Sequence, residues 1–461
     1  MTRSKPDILH GPLEKTLVKL SLPVLMGLLG QLVYNITDTL FLAWIDKGST
    51  AIIAGVGLVF PVFFILIALS QGLSTGVSTV VAISFGAGES KEAEKAGATG
   101  LVLSCGVAFL AIGLCWMWGD DLLLILAGNE VTPAAISHGK DYLFWLLPGF
   151  FLVFFGQTMF GILQGEGLTR YIGPAMVLST AVNVILDPLL IFTFGMGVVG
   201  ASIATSISYL VLTVFAVVVF IRKGSSLRIT PRRDNVSWAM LRRITGLGIP
   251  TSLGLIVLSF SFVILNWLMG SVSEAALNAF SLAGRFDHLL LTPIFAFSSG
   301  MTIIIGQSYG AGDLARVRHA FSHGVFLITG TGITVALLYM AAAPWIFMLF
   351  SDAGEVIELA VRQTRWMAIP TALGAGLGIS AGYAFQSLAQ PLKSLTAITL
   401  RALLLTIPLA LALFAFWGVR VESVWIGMIA GNLFGGGVAF LWCRGTLQRL
   451  SLKKAEEIIQ T

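Results

Sequence analysis

Long apolar stretches alternate with short polar segments along the whole chain. The apolar stretches run for about 20–30 residues without alternation of apolar and polar positions, which indicates helices and not strands of a barrel. A helix needs about 20 apolar residues to cross a bilayer. The pattern therefore predicts twelve spans, near residues 17–43, 52–84, 94–119, 138–163, 171–193, 198–222, 244–269, 275–308, 319–349, 358–387, 394–417 and 422–443.

Composition agrees with this pattern. Of 461 residues, 56% are hydrophobic and only 11% are charged, and the mean hydropathy is +0.90. A soluble domain usually carries about 25% charged residues, because its exterior faces water. The composition excludes a soluble fold and predicts an all-α membrane protein whose surrounding partner is the lipid bilayer.

Lysine and arginine are concentrated on one side of the predicted membrane. If the loop between the sixth and seventh spans is cytoplasmic, 22 of the 28 basic residues lie on that side and 6 lie outside. Cytoplasmic loops carry such an excess. We therefore expect both termini in the cytoplasm of a multi-pass protein of the cell membrane. The net charge of +5 reflects this topology and indicates no nucleic-acid partner.

The two halves of the sequence repeat. Residues 76–88 read GVSTVVAISFGAG, and residues 300–312, found 224 positions later, read GMTIIIGQSYGAG. Residues 51–58 and 275–282 match at the same offset. An even number of spans per repeat predicts two homologous six-helix bundles of like orientation around a central cavity. The expected divisions are an N-lobe at 1–222, a basic cytoplasmic linker at 223–243, a C-lobe at 244–443 and a cytoplasmic tail at 444–461.

No enzyme motif is present in the sequence. It contains no P-loop, no GxSxG, no HExxH and no metal-spaced histidine pair, and each of those is the signature of a catalytic site. Duplicated membrane bundles are typical of secondary transporters. We therefore expect a transporter and not an enzyme, without a cofactor and driven by an ion gradient.

Two acidic residues fall deep inside predicted spans, where an ionisable group is costly and usually functional. Asp38 lies in the first span and Asp187 in the fifth, and both belong to the N-terminal half. Tyr34 precedes Asp38 by four positions, as Asn183 precedes Asp187. Residues four apart share a helix face, so each acid has a polar neighbour one turn away.

Such a carboxylate pair has several uses. The two acids could share a proton, or their oxygens could bind Na⁺ together with amide and hydroxyl oxygens. In the structural alternative, Asp38 accepts hydrogen bonds between helices and Asp187 braces a kink at Pro188. Pro23, inside the first span, breaks a backbone hydrogen bond there; it produces either a static kink or a bend that follows the charge on Asp38.

These residues resemble those of the multidrug and toxic compound extrusion (MATE) family, in its DinF-like branch. The resemblance covers nearly the whole chain, and its most specific elements are Pro23, the YNxxD motif of Tyr34–Asp38 and the NxxxD motif of Asn183–Asp187. It implies a set of functional positions. They are a cation-coupling site of Asp38, Asn183, Asp187 and Thr205, with possible Na⁺ binding; a polar network of Tyr34, Asn35 and Tyr142; a helix bend at Pro23; and a substrate cavity lined by Gln31, Gln157 and Met176.

One departure from the family bears on the location of coupling. Another branch carries acidic residues in the seventh and tenth helices, and both of those segments lack an acid in their cores here. We therefore expect ion coupling in the N-lobe.

Two functions fit this sequence. The first is an antiporter that acts as a monomer and exports amphipathic organic cations by alternating access, in exchange for H⁺ or Na⁺. The second is a flippase for a lipid-linked precursor, which would need several basic residues to hold a diphosphate. The span cores offer little of that kind, since Arg401 near a span end is the nearest candidate.

Overall fold

The computed structural model describes residues 7–45, 51–127, 131–230 and 232–460. Within those ranges the chain is helical and contains no strand. Twelve helices in these ranges are long and apolar enough to cross a membrane, which confirms the predicted number. In lipid a helix satisfies its own backbone hydrogen bonds, so long apolar segments adopt this structure.

The helices are numbered in chain order. Two of them are interrupted by a π-helical turn, and a third ends in one. The bounds are α1 Leu13–Ile45, α2 Ala51–Gly86, α3 Ser90–Ala127, α4 Pro133–Gly165, α5 Ile172–Pro188 with a π turn at Leu189–Thr193, α6 Gly197–Ile221, α7 Trp238–Val272, α8 Glu274–Gly310, α9 Leu314–Met348, α10 Gly354–Ser387, α11 Pro391–Thr399 and Thr406–Trp417 around a π turn at Leu400–Leu405, and α12 Val421–Ala430 and Gly436–Gln460 around a π turn at Gly431–Gly435.

The chain forms two compact units. The N-terminal unit is Met26–Ser252, and the C-terminal unit combines Met1–Leu25 with Leu253–Thr461. Helices α1 and α7 therefore each contribute to both units. The division into lobes at 223–243 was defined by the sequence repeat, whereas the two compact units are defined by packing. The lobe boundary therefore remains a prediction.

Glycines allow the helices of the N-terminal unit to approach closely. A Cβ at Gly161 would lie 2.6 Å from the carbonyl oxygen of Ser74, which brings α4 against α2. A Cβ at Gly156 would lie 2.6 Å from the hydroxyl of Thr213, which brings α4 against α6. The core between these helices includes Phe150, Phe154 and other fully buried side chains. Helix α4 is thus the central element of this unit.

The repeated glycines perform the same packing task in each unit. Gly76 on α2 faces the start of α7, where a Cβ would lie 2.6 Å from the carbonyl oxygen of Ile244. Its repeat partner Gly300 on α8 faces Ser21 near the start of α1. Leu17 and Leu20 of α1 are correspondingly buried in the core of the C-terminal unit.

The basic linker is bound to the end of the N-terminal unit. The buried carboxylate of Glu166 accepts hydrogen bonds from the side chain of Ser225 and from the backbone and hydroxyl of Ser226. Glu94 accepts from the backbone N–H of Arg228 at 2.8 Å. Glu166 lies in the turn after α4, as its sequence position indicated, and its role there is to hold the linker.

The close approach at Gly76 leads to a stability prediction. We expect Gly76→Ala to lower the free energy of unfolding by about 1–3 kcal/mol, because the new methyl group overlaps the backbone of α7. A Cβ at Gly57 on the same helix has nothing within 4 Å. Gly57→Ala should therefore be neutral or stabilise by up to about 1 kcal/mol. Thermal unfolding in detergent measures both, and equal melting temperatures for the two variants would contradict the packing role of Gly76.

Candidate functional site

Four helices of the N-terminal unit supply the predicted polar residues. Helix α1 carries Tyr34 and Asp38, α4 carries Tyr142, α5 carries Asn183 and Asp187, and α6 carries Thr205. Asn183 and Asp187 have no exposed surface, and Thr205 is 1% exposed. Tyr34 and Asp38 are half-buried. Side chains of this polarity are rarely placed so deeply without a purpose in a membrane protein.

Hydrogen bonds join four of these side chains in two pairs. Asn183 donates from Nδ2 to Oδ1 of Asp187 at 3.4 Å, which fulfils the i, i+4 relation seen in the sequence. The hydroxyl oxygens of Tyr34 and Thr205 lie 3.4 Å apart and share a hydrogen bond. The hydroxyl of Tyr142 lies close to the same threonine. The structure thus brings together α1, α4, α5 and α6 through the residues that the resemblance implied.

Three oxygens of this cluster have no donor among the described residues. They are Oδ1 of Asp38, Oδ1 of Asn183 and Oδ2 of Asp187, and each is buried. A buried acceptor without a donor costs about 1–3 kcal/mol, and more if it is charged. A bound proton or an oxygen-seeking cation would remove that cost. These oxygens therefore make the cluster a candidate cation site.

Electrostatics within the cluster favour the same conclusion. The carboxylates of Asp38 and Asp187 interact with each other, and both interact with the hydroxyl of Tyr142. Two like charges repel strongly in an apolar environment, where the effective dielectric constant is low. Binding one positive ion relieves this repulsion. Carboxylate, amide and hydroxyl oxygens are hard ligands, of the kind that suit Na⁺ as well as a proton.

The backbone of α5 changes directly after Asp187, where Pro188 ends the α-helical part. Pro188 has no N–H to donate, and the next five residues form the π turn Leu189–Thr193. π turns are uncommon and often lie at functional sites. The alternative role of Asp187, bracing a kink at Pro188, is compatible with this local geometry, but it does not account for the unpartnered Oδ2.

Tyr209 is a member of the cluster that the sequence reasoning missed. It lies close to Tyr34 and interacts electrostatically with Asp38. It follows Thr205 by four positions on α6 and so shares its helix face. The same spacing that connected Tyr34 with Asp38 would have identified it.

The remaining predicted positions are less closely connected to the cluster. Met176 on α5 packs against Gly27 of α1, and the backbone carbonyl of Gln157 accepts from Ser74 at 2.7 Å. Gln31 is exposed on α1. Among the described residues neither glutamine side chain is hydrogen-bonded to Asp38 or Asp187.

Two further predicted positions are on α1. Pro23 lies inside this helix, and the helix continues past it to Ile45. The helix passes from the C-terminal unit to the N-terminal unit between Leu25 and Met26, directly after this proline. The side chain of Asn35 lies outside the described part of the structure.

The C-terminal unit contains a polar group that the sequence did not suggest. In the sequence Asp287 lies two residues from Arg285. In the structure its carboxyl interacts electrostatically with the hydroxyl of Tyr339, which accepts a hydrogen bond from Thr364 at 3.4 Å. No ion pair of Asp287 is found among the described residues. The three residues come from α8, α9 and α10, so only the packing of these helices could reveal the contact.

Comparison with known proteins supports a transport role. A family model described as MatE matches residues 23–189 and 250–412. A protein of Shewanella oneidensis named FAD transporter is 27% identical, covering 88% of this chain and 90% of its own length. The multidrug export protein MepA of Staphylococcus aureus is 23% identical and covers 92% of each chain.

A solved structure is also similar over almost the full length. It is described as the outward-facing conformation of a multidrug resistance MATE family transporter of the MOP superfamily. The TM-score is 0.92 with 28% identity, and the match covers 98% of this chain and 99% of the other.

The unpartnered oxygens lead to a prediction about ion-dependent stability. We expect Na⁺ or a lower pH to raise the apparent melting temperature of the purified protein, because a ligand of the folded state stabilises it by about 2.7 kcal/mol at a hundredfold excess over Kd. Asp187→Asn should remove this response. The exposed residue Asp121 on α3 provides the control, since Asp121→Asn should keep the response. An unchanged response in Asp187→Asn would contradict the site.

Proposed function

The chain belongs to the MatE family, and we propose that it is an ion-coupled antiporter that exports amphipathic organic cations in exchange for H⁺ or Na⁺. We further propose that it belongs to the DinF-like branch of this family, since its intramembrane acids Asp38 and Asp187 are both in the N-terminal unit. The observation that carries the proposal is the group of three buried, unpartnered oxygens on Asp38, Asn183 and Asp187.

The proposed coupling site consists of Asp38, Asn183, Asp187 and Thr205. Asp38 and Asp187 accept the positive charge, and Asn183 orients Asp187 through their hydrogen bond. Thr205 contributes an oxygen and is held by Tyr34. Neutralisation of the two acids removes their repulsion. It thereby lowers the free-energy cost of enclosing them in apolar protein when the helices move.

Helix α1 is the proposed link between this site and the rest of the transporter. Its Pro23 removes one backbone hydrogen bond, so the helix bends there more easily than elsewhere. Asp38 is on the same helix, and Tyr34 connects it with α6. We propose that ion binding at Asp38 changes the bend at Pro23 and weakens substrate binding. Linkage then requires that substrate weaken ion binding by the same factor.

The names of the relatives support export of organic solutes but differ in the cargo. One relative is named for a flavin nucleotide and the other for multidrug export. The flippase alternative would need several basic side chains in the span cores to hold a diphosphate, and the sequence offers little of that kind beyond Arg401. We therefore favour export of small amphipathic solutes, with Gln31, Gln157 and Met176 as proposed contributors to their cavity.

The twelve apolar helices make the chain a multi-pass membrane protein. We propose that it resides in the cell membrane with both termini in the cytoplasm, as the distribution of lysine and arginine indicates. We also propose that one chain is sufficient for transport, because both repeats of the transporter architecture are present in it.

Transport measurements on reconstituted protein test this proposal. Vesicles loaded with a fluorescent organic cation receive an imposed H⁺ or Na⁺ gradient, and efflux is followed by fluorescence. We expect one gradient to accelerate efflux by wild-type protein and Asp38→Asn to reduce the coupled rate roughly tenfold or more. The reason is that the variant cannot accept the ion's charge at this position.

Asp121→Asn is the matched control, since it makes the same chemical change at an exposed position of the same unit. It should retain the wild-type rate. Gradient-driven efflux that persists in Asp38→Asn would exclude Asp38 from coupling. A folded wild-type protein that moves no cation under either gradient would refute the antiporter proposal.

A further inference from the structure

Arg401 is located deep inside a membrane span. It lies ten residues after Pro391 in a 27-residue span that ends at Trp417. At 1.5 Å per residue the arginine is roughly 15 Å from the nearer end of the span, which is about half the thickness of a bilayer's hydrocarbon core. An arginine at such depth is a functional candidate by default.

The backbone around Arg401 is irregular. Arg401 belongs to the π turn Leu400–Leu405, and the facing helix α12 has a π turn of its own at Gly431–Gly435. The hydroxyl of Thr406 donates to the carbonyl oxygen of Arg401 at 2.9 Å, so a side chain satisfies this group. Irregular backbone is tolerated at membrane depth when it is buried in protein or lines a cavity.

Glycines provide the space that the arginine occupies. A Cβ at Gly435 would lie 2.7 Å from the Cα of Arg401, and a Cβ at Gly378 on α10 would lie 3.3 Å from its Cδ. Two neighbouring helices therefore have glycines, which carry no side chain, next to the arginine. The side chain itself is half-buried, so part of its surface remains open to a ligand.

The charge of Arg401 has no acidic partner among the described residues. Its guanidinium donates from Nη1 to Oδ1 of Asn432 at 3.1 Å. The ion pairs of the described residues do not include it; Arg362, for example, pairs with Glu422. Arginines in membrane spans are normally paired, because an isolated charge is costly in an apolar environment. A single neutral amide oxygen leaves most of the five N–H donors of a guanidinium for another acceptor.

We propose that Arg401, with Asn432 beside it, binds the phosphate or carboxylate of a transported amphipathic solute. A planar guanidinium matches either group through two parallel hydrogen bonds. This inference rests on the proposed transport function and extends its substrates to solutes that carry an acidic group. The acids of the N-terminal unit bind the coupling ion, and the base of the C-terminal unit binds an anionic part of the cargo.

The depth of Arg401 favours a solute over a membrane lipid. Lipid phosphates lie at the interface, outside the hydrocarbon core, whereas Arg401 is roughly 15 Å along the helix from the nearer end of its span. A solute that enters the protein can reach that depth. The alternative of a purely structural role, in which Arg401 only joins α11 to α12 through Asn432, requires one hydrogen-bond donor and no positive charge.

Binding of two flavins to purified protein tests the proposal. Flavin mononucleotide and riboflavin are fluorescent and differ by one phosphate. We expect wild-type protein to bind flavin mononucleotide about ten- to hundredfold more tightly than riboflavin, as hydrogen bonds to a charged group permit. Arg401→Gln should abolish this preference, because glutamine can still donate to Asn432 but carries no charge. Arg401→Lys should retain part of it.

Arg420→Gln is the control, since it removes an exposed arginine near the end of the span, and it should leave the preference intact. The proposal is overturned if folded Arg401→Gln retains the preference, or if wild-type protein shows none. It is also overturned in favour of a lipid site if, in nanodiscs, phosphatidylglycerol and not the flavin binds in an Arg401-dependent manner.

The cation-efflux measurement on wild-type protein separates this inference from the antiporter proposal. Gradient-driven efflux without a phosphate preference would leave the antiporter standing and remove the anion site. A phosphate preference that depends on Arg401, without gradient-driven efflux, would leave the anion site standing and remove the coupled transport.

Discussion

Every backbone N–H and C=O within a bilayer must find its hydrogen-bond partner inside the protein, because the surrounding hydrocarbon offers none. In the described part of the chain, twelve long helices meet that requirement. Since apolar side chains gain little by leaving lipid for one another, the helices associate through close packing. The glycines at 76, 156, 161 and 300 provide it, because each stands where a Cβ would overlap a neighbouring helix.

In the same environment every charged or polar side chain in a span carries a free-energy cost. The N-terminal unit contains an acidic cluster around Asp38 and Asp187, and the C-terminal unit contains Arg401, which has no acidic partner among the described residues. Asp187 directly precedes the Pro188 and π turn of α5, and Arg401 lies within the π turn of α11. The fifth and eleventh helices are related by the repeat. Both of these helices contain a π turn, with an acid next to it in α5 and a base within it in α11.

Much of this organisation could be predicted from the sequence. The number of spans follows from apolar length alone, and the duplication follows from a constant offset of 224 positions. The pairs Tyr34–Asp38 and Asn183–Asp187 were identified by helical spacing, which the structure confirms for the hydrogen bond within the second pair. The same four-residue spacing, counted from Thr205, would also have identified Tyr209. The residue bounds of the lobes, the central cavity and the roles of Gln31 and Gln157 remain predictions.

The sequence by itself determined that the chain lies in a lipid bilayer, where its helices are and which residues form the candidate ion site. It could do so because apolar length and helical periodicity are local properties of the chain. Contacts between distant helices were decided by tertiary structure alone. Packing brought Asp287 into electrostatic interaction with Tyr339, and the π turns of α11 and α12 placed Arg401 beside Asn432. The physical reason is that a side chain's electrostatic environment depends on every helix that faces it. Sequence spacing describes only the neighbours on the side chain's own helix.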